Sequence, residues 1–262
     1  MTAPIEHRGS TIAWREEGEG AHVTLLHGVG GAMDNWDGVI TAFGGALRTL
    51  RYDLRGHGES GKPPGPYALD DYVDELRALL DARGVARTHL AGFSFGGMIA
   101  PAFALAYPQR VASLTCISAV CGRTEAERAA VLGRARALHA GDAGGNAAAA
   151  AERWFTPEFR RAHADVIEGR MRQLLANDPQ AYAAAYQVFA ESDLADRIAD
   201  IDAPALIMTG EHDQGSSPRM ARLMHERIAG SRLEILPGLR HSVLIEAPGL
   251  VAGRLREFVE AQ

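Results

Sequence analysis

The 262-residue sequence contains little cysteine and no long hydrophobic run. Its two cysteines, Cys116 and Cys121, are too few for a disulfide framework and do not form a C-x-x-C metal motif. No apolar stretch approaches the roughly 20 residues that a membrane helix needs. Residues 1–6 lack the basic and apolar regions of a signal peptide. We therefore expect a cytoplasmic protein with two reduced thiols and no membrane partner.

Basic residues are fewer than acidic residues. Lysine and arginine number 27 against 33 aspartates and glutamates, which gives a formal net charge of −6. No basic stripe or polybasic patch occurs, so nucleic acid and anionic membranes are not expected partners. Hydrophobic residues make up 47% of the chain, enough for the core of one large α/β domain or two small ones.

Strand-like and helix-like segments alternate along most of the chain. Two short runs, Ile5–Arg8 and Thr11–Arg15, predict an N-terminal hairpin that turns at Gly9–Ser10. The alternation that follows favours an α/β fold, with a mostly parallel sheet of about eight strands flanked by helices. The predicted later strands cover residues 22–27, 47–53, 88–91, 111–117, 204–209 and 232–236.

The pattern changes between residues 122 and 200. Strand-like runs disappear and alanine rises, while aromatic residues such as Trp154 and Tyr186 supply apolar anchors. We interpret this segment as a folded helical cap rather than a linker. The predicted organisation is a core of residues 1–121 and 201–262, with a helical cap of residues 122–200.

A G-x-S-x-G motif lies at residues 92–96, between a predicted strand and a predicted helix. Glycines on either side of Ser94 allow a sharp strand-to-helix turn that exposes the serine hydroxyl. The following helix N-terminus offers free N–H groups to an anion that forms beside the serine. The motif alone also fits a glycine-rich turn that contains serine by chance, so the candidate nucleophile needs partners.

Two such partners follow later predicted strands. A serine nucleophile needs a base, and the base needs a group that orients it. In a parallel sheet these groups gather at the carboxyl ends of strands, where Asp213 and His241 are expected. Among the ten histidines, His57 is a rival, but its flanking glycines indicate a tight turn and it precedes the serine. His212 adjoins Asp213 in sequence and is a poor partner for it.

Attack on a carbonyl group also requires donors for the negative oxygen that develops. The Phe95 N–H at the helix start is one candidate donor. The glycine-rich loop after the first long strand, residues 27–31, supplies the second candidate, the Val29 N–H. This loop is neither a G-x-G-x-x-G motif nor a P-loop with its lysine, so phosphate binding is not favoured.

Together these segments resemble the α/β-hydrolase superfamily. The resemblance rests on residues 27–30, 52–60, the Ser94 turn, Gly210–Asp213 and His241, and it spans nearly the whole chain. Within the superfamily the chain is similar to 3-oxoadipate enol-lactonases and small carboxylesterases, through residues 51–67 and 153–156. Residues 27–30 and 240–243 depart from the enol-lactonase pattern.

The resemblance implies a serine hydrolase that cleaves a small-molecule ester or lactone through an acyl-enzyme on Ser94, with Asp213 and His241 completing the triad. It implies no metal and no organic cofactor. Trp154 is expected to form a wall of the substrate pocket, and Arg153 is a candidate partner for a substrate carboxylate. The same triad could serve carbon–carbon bond hydrolysis, perhydrolysis or a cofactor-free lyase step, and a non-catalytic ligand receptor is a further alternative. No signal of oligomeric state is present.

Overall fold

A mostly parallel β-sheet forms the centre of the structure, a computed structural model that describes residues 3–262 apart from the side chains of positions 143, 145 and 146. The strands, in chain order, are β1 (Ile5–His7), β2 (Ser10–Ile12), β3 (Trp14–Glu17), β4 (His22–Leu26), β5 (Arg48–Tyr52), β6 (Thr88–Phe93), β7 (Val111–Ile117), β8 (Ala205–Gly210) and β9 (Arg232–Leu236). Seven of them form one sheet in the order β3-β5-β4-β6-β7-β8-β9, and only β3 runs antiparallel to its neighbour. The prediction of a mostly parallel sheet is confirmed.

The N-terminal strands differ from the prediction. Strands β1 and β2 pair only with each other, so residues 3–262 hold seven strands in the sheet and two in a hairpin, not one sheet of about eight. The predicted strand over residues 11–15 is interrupted at Ala13, because its N–H donates to Ser60 Oγ at 2.9 Å. The hairpin turns at Arg8 and Gly9, whose φ values of 47° and 75° match the twist of a two-residue turn.

The helices lie between and around these strands. In chain order they are α1 (Asp37–Phe43), α2 (Leu69–Ala82), α3 (Gly96–Ala106), α4 (Glu125–His139), α5 (Ala143–Trp154), α6 (Pro157–Ala162), α7 (Ala164–Leu175), α8 (Pro179–Glu191), α9 (Pro218–Arg227), α10 (Val243–Glu246) and α11 (Pro248–Glu260). Helices α1 and α11 cover one face of the sheet, and α2, α3 and α9 cover the other. No helix within residues 3–262 is both long enough and apolar enough to cross a membrane.

The strands supply side chains to both faces in turn, as a period of two requires. Leu25 of β4 packs among the residues of α1 and α11, whereas its neighbour Leu26 packs on the opposite face. Leu206 and Ile207 of β8 divide in the same way. Because both faces are covered, these strands are continuous apolar runs, as expected of a parallel sheet. Both cysteines are buried and free.

Five helices, α4–α8, lie in the chain between β7 and β8. Three begin at residues whose side chains accept N–H groups of the first turn: Thr124 from Glu127, Thr156 from Phe159, and Asp178 from Ala181. These starts explain why an alanine-rich segment divides into separate helices. The division of the chain into a core and a cap over residues 122–200 stays a prediction, and α4–α8 are called the cap helices below.

The cap helices are tied to loops at the carboxyl ends of the strands. The Ser242 N–H donates to the Trp154 carbonyl at 2.9 Å, which joins the loop after β9 to the end of α5. The Thr156 N–H donates to Glu246 Oε1 at 2.8 Å. These bonds hold the cap helices over one end of the sheet.

Helix α3 approaches β4 and β6 so closely that only glycine fits at two positions. A Cβ atom at Gly92 would lie 2.0 Å from the Gly96 carbonyl oxygen, and one at Gly96 would lie 2.4 Å from the Leu26 carbonyl oxygen. Both obstacles are backbone atoms, which cannot rotate away. This close approach fixes the distance between the end of β6 and the start of α3.

We expect Gly92→Ala to lower the free energy of unfolding by about 3 kcal/mol or more, because the added methyl group must displace backbone. Gly253→Ala is the matched control, since Gly253 is an exposed position in α11 with no atom within 4 Å of a built Cβ. The control should be neutral or stabilising by up to about 1 kcal/mol. Urea unfolding at neutral pH measures both, and equal stabilities would contradict this account of the α3–β6 packing.

Candidate active site

Ser94 occupies the turn between β6 and α3 in a left-handed conformation, with φ of 53°. Such a conformation costs a non-glycine residue roughly 1–2 kcal/mol, so the surroundings must hold it. The Ser94 N–H donates to the Ile117 carbonyl at 2.8 Å, and the close approach at Gly92 and Gly96 fixes both sides of the turn. The side chain is thereby presented at the carboxyl end of β6.

His241 lies beside Ser94 and links it to Asp213. His241 Nε2 is 3.2 Å from Ser94 Oγ, and His241 Nδ1 is 2.7 Å from Asp213 Oδ2. The loops that carry these residues follow β6, β8 and β9, so side chains distant in sequence meet at one edge of the sheet. A nucleophile, a base and an orienting carboxylate in this geometry form the arrangement that hydrolytic serine triads use.

Asp213 is held for this contact by its own loop. Its side chain is fully buried, and Oδ1 accepts the N–H groups of Gly215 and Ser216, each at 2.9 Å. Oδ2 faces His241 Nδ1, with the Thr209 hydroxyl farther away at 3.4 Å. The His241 backbone is held in turn, since Ser118 Oγ donates to its carbonyl at 3.2 Å. These contacts fix which carboxylate oxygen faces the imidazole.

The two candidate oxyanion donors lie next to Ser94 in sequence or space. A Cβ atom at Gly28 would be 3.1 Å from Ser94 Cβ, so the loop that carries Val29 runs against the serine. Neither the Val29 N–H nor the Phe95 N–H donates a hydrogen bond to any residue that the structure describes. Phe95 itself is anchored by its fully buried ring, 4.9 Å from the Tyr72 ring. Two N–H groups without a partner among the described residues therefore lie on chain segments that adjoin Ser94.

Two buried histidines shape the loop of residues 27–31. His27 Nδ1–H donates to the Gly28 carbonyl at 2.8 Å, and His27 Nε2 accepts the Leu54 N–H at 3.0 Å. His57 Nε2 accepts the Gly30 N–H at 2.9 Å, and its Nδ1–H donates to the Arg55 carbonyl at 2.9 Å. His57 is therefore not a base for Ser94 but a support for this loop. Sequence reasoning assigned it only to a tight turn.

A cavity of about 290 Å³ opens at Ser94 and His241, a size that suits a small molecule. Trp154 lines it, with its ring centroid 6.2 Å from that of His241, and Arg153 lines it from the same helix, α5. Both sequence-predicted pocket residues thus lie at the cavity. In the described part of the chain, no ion pair or side-chain hydrogen bond joins Arg153 to another residue.

Three further arginines, which the sequence did not predict as site residues, also line this cavity. Arg123 is committed to backbone carbonyls, including those of Phe189 and Ser192. Arg134 donates to the Tyr186 hydroxyl at 2.9 Å, and Arg170 donates to the Gly30 carbonyl at 3.0 Å. The sequence holds no signal for these roles, because cap arginines recur at many helical positions and only folding selects those that face inward. Residues 3–262 contain no group of three or more histidine, cysteine or acidic side chains placed to hold a metal ion.

A family profile described as the alpha/beta hydrolase fold matches residues 21–248. The chain belongs to the α/β-hydrolase family. The family prediction from the sequence is thereby confirmed, and the protein is a hydrolase.

Several relatives are similar to this α/β-hydrolase over most of its length. The (E)-2-((N-methylformamido)methylene)succinate hydrolase of Acinetobacter baylyi is 30% identical over 255 residues, which cover 95% of this chain and 94% of that protein. The 3-oxoadipate enol-lactonase 2 of the same species is 28% identical and covers 84% of this chain and 81% of its own length. The crystal structure of the enol-lactonase from Burkholderia xenovorans superposes with a TM-score of 0.92 at 25% identity, over 98% of this chain and 100% of that one.

The buried histidines predict a loss of stability in acid. Burial lowers the pKa of His27 to about 4, and burial together with the neighbouring His27 lowers the pKa of His57 to about 3. Unfolded histidine titrates near 6.5. Because the unfolded chain binds the proton more readily, the stability is complete above pH 6.5 and falls as pH drops towards the folded pKa values.

Between pH 7 and pH 5 each buried histidine should remove about 2 kcal/mol from the free energy of unfolding. His57→Gln should reduce this acid-induced loss by about that amount, since glutamine can accept the Gly30 N–H but does not titrate. Urea unfolding at pH 7 and pH 5 measures this change in the free energy of unfolding. His212→Gln serves as the control at a side chain that is 59% exposed. Identical pH dependence in both variants would refute the assignment of a neutral, buried His57.

Proposed function

We propose that this α/β-hydrolase cleaves a small carboxylic ester or lactone through an acyl-enzyme formed on Ser94. The observation that carries the proposal is the hydrogen-bonded series Ser94–His241–Asp213, and it is supported by the N–H groups of Val29 and Phe95 on adjoining segments, which donate to no described residue. Each component has a task in acyl transfer.

In the first step His241 Nε2 takes the proton from Ser94 Oγ as the oxygen attacks the substrate carbonyl. Asp213 accepts the Nδ1–H, which keeps Nε2 free as the base and stabilises the imidazolium that forms. The carbonyl oxygen becomes negative and receives the N–H groups of Val29 and Phe95. A donor of this kind typically contributes about 3–4 kcal/mol to the transition state.

In the second step the tetrahedral intermediate collapses, the C–O bond of the ester breaks, and His241 returns its proton to the leaving oxygen. An ester then releases its alcohol, whereas a lactone keeps the leaving oxygen attached to the acyl group. His241 next takes a proton from water, whose oxygen attacks the acyl-enzyme. Collapse of that intermediate frees the acid and returns the proton to Ser94.

Fluorophosphonate labelling tests the nucleophile. We expect wild-type protein to be labelled once and to hydrolyse short aryl esters, and Ser94→Ala to lose both properties while remaining folded. Ser113→Ala is the matched control, because Ser113 is a buried serine of β7 that contacts His89, and it should be labelled like the wild type. Intact-mass measurement and circular dichroism provide the readouts. Unlabelled but folded wild-type protein would refute the proposal.

The charges that line the cavity favour an anionic substrate. The acidic side chains there are engaged, since Glu127 pairs with Arg219 and Asp213 with His241. Arg153 has no acidic partner among the described residues, and burial followed by the neighbouring Arg134 lowers its pKa. An unpaired, partly desolvated guanidinium gains most from a carboxylate supplied by the ligand.

We therefore propose that the ester or lactone carries a carboxylate that Arg153 binds, with Trp154 as the adjoining wall. The names of the two Acinetobacter relatives, which specify a methylenesuccinate and a 3-oxoadipate enol-lactone, support this choice. Carbon–carbon bond hydrolysis and lyase chemistry could use the same three residues, and direct rate comparison separates them from ester cleavage.

Arg153→Met should lower kcat/KM at least ~10-fold for an aryl ester with a terminal carboxylate, because a hydrogen bond to a charged group contributes about 1.5–3 kcal/mol. The same ester with its carboxylate methylated should be hydrolysed at nearly the wild-type rate. Steady-state kinetics on this substrate pair, and on a carboxylate-bearing lactone, measure the effect. Arg161→Met is the control, at a 72% exposed side chain on α6. An equal loss on both esters would contradict carboxylate binding by Arg153.

A further inference from the structure

Gly30 is held at both ends of its backbone. Its N–H donates to His57 Nε2 at 2.9 Å, from the core side. Its carbonyl accepts from Arg170 Nη1 at 3.0 Å and from Asn177 Nδ2 at 3.3 Å, both from the cap side. Gly30 follows Val29 directly, so these bonds fix the peptide units next to a proposed oxyanion donor.

The core-side contact is rigid. His57 is fully buried, and its Nδ1–H is committed to the Arg55 carbonyl, so Nε2 can only accept. Gly30 itself has a φ of 69°, and a Cβ there would lie 2.5 Å from Leu174 and 2.9 Å from Tyr182. The loop therefore has one shape that satisfies both the core and the cap helices.

The cap-side contact comes from an arginine with no acidic partner. Arg170 lies on α7, and in the part of the chain that the structure describes it forms no ion pair. Its guanidinium carbon lies 5.1 Å from the centroid of the Trp154 ring. Burial lowers its pKa to about 10, so it stays charged at neutral pH. A charged guanidinium on a carbonyl forms a stronger hydrogen bond than a neutral donor would.

A second link ties the same helix to the end of the loop. Asn35 Nδ2 donates to Gln173 Oε1 at 2.9 Å, and Asn35 Oδ1 accepts the Ala32 N–H at 3.1 Å. Helix α7 thus contacts both the glycine-rich segment, at Gly30, and the chain that follows it, at Asn35. Asn177, just after α7, and Tyr182 of α8 also lie at Gly30, but Arg170 is the charged donor to its carbonyl.

We propose that Arg170 is a positioning residue, which holds the Gly30 carbonyl so that the Val29 N–H stays in place for the oxyanion. This inference rests on the proposed function, because it assigns Arg170 a part in the same acyl transfer. It differs from the role of Arg153, which contacts the substrate. Through Arg170 the cap helices help to stabilise the transition state, in addition to shaping the cavity that binds the substrate.

The test compares Arg170→Met and Arg170→Lys with the wild type. A neutral short-chain aryl ester supplies kcat and KM. Inhibition constants are also measured for a trifluoromethyl ketone and for the matching methyl ketone. Ser94 adds to the carbonyl of the trifluoromethyl ketone and leaves a negative charge on its oxygen, whereas the methyl ketone binds without that charge. Arg172→Met is the matched control, since Arg172 lies on the same helix with 71% of its side chain exposed and pairs only with Glu168 among the described residues.

Arg170→Met should lower kcat about 10- to 100-fold with KM nearly unchanged, the effect expected of a misplaced catalytic donor. The substitution should weaken binding of the trifluoromethyl ketone by a similar factor and leave binding of the methyl ketone unchanged. Arg170→Lys should recover part of the loss, because an ammonium can still donate to the Gly30 carbonyl. Arg172→Met should behave as the wild type.

A wild-type kcat in Arg170→Met would overturn the inference. Equal weakening of both ketones, or a rise in KM alone, would also overturn it, since Arg170 would then contact the substrate in the ground state. Wild-type protein that neither hydrolyses the ester nor binds the trifluoromethyl ketone would instead overturn the proposed function, and this inference with it. Thermal unfolding of each variant separates these results from misfolding, and Arg170→Lys supplies the test if Arg170→Met does not fold.

Discussion

The close approach of α3 to the sheet is the constraint on which the candidate site depends. Two glycines let the helix backbone meet the backbone of β4 and β6, and the chain between them has room only for a sharp turn. Ser94 accepts a left-handed conformation at that turn because the sheet, not the serine, determines the path of the chain. The same turn starts α3, and the Phe95 N–H, which follows Ser94 directly, forms no hydrogen bond with the described residues. The candidate nucleophile Ser94 and one of the two proposed oxyanion donors, the Phe95 N–H, are therefore positioned by one packing contact.

The charge of the candidate site is opposite in sign to the net charge of the chain. The chain has a net charge of −6, yet four arginines line the cavity and its two acidic side chains are already paired. Such a distribution attracts anions locally while the whole protein repels them at a distance. The arginines also differ among themselves. Arg123 and Arg170 are engaged with backbone carbonyls, whereas Arg153 forms no ion pair or side-chain hydrogen bond with the described residues.

Much of this organisation could be predicted from the sequence, for identifiable reasons. The G-x-S-x-G motif, and the positions of Asp213 and His241 after later strands, depend on local patterns and on the rule that loops meet at one end of a parallel sheet. The break at Ala13 could not be predicted, because it depends on a hydrogen bond to Ser60, far away in the chain. The roles of Arg170 and His57 could not be predicted for the same reason. Their partner is the backbone of Gly30, and a contact with backbone leaves no complementary residue type in the sequence.

The hydrogen bond between Ser242 and Trp154 uses only main-chain atoms. The loop that carries His241 is thus fastened to the cap helices without any contribution from the indole. A different side chain at position 154 would alter the shape and polarity of the cavity wall, while the fastening stayed intact. Position 154 is therefore a place where natural or designed variation can reshape the cavity next to His241 while the main-chain link between the β9 loop and α5 is kept.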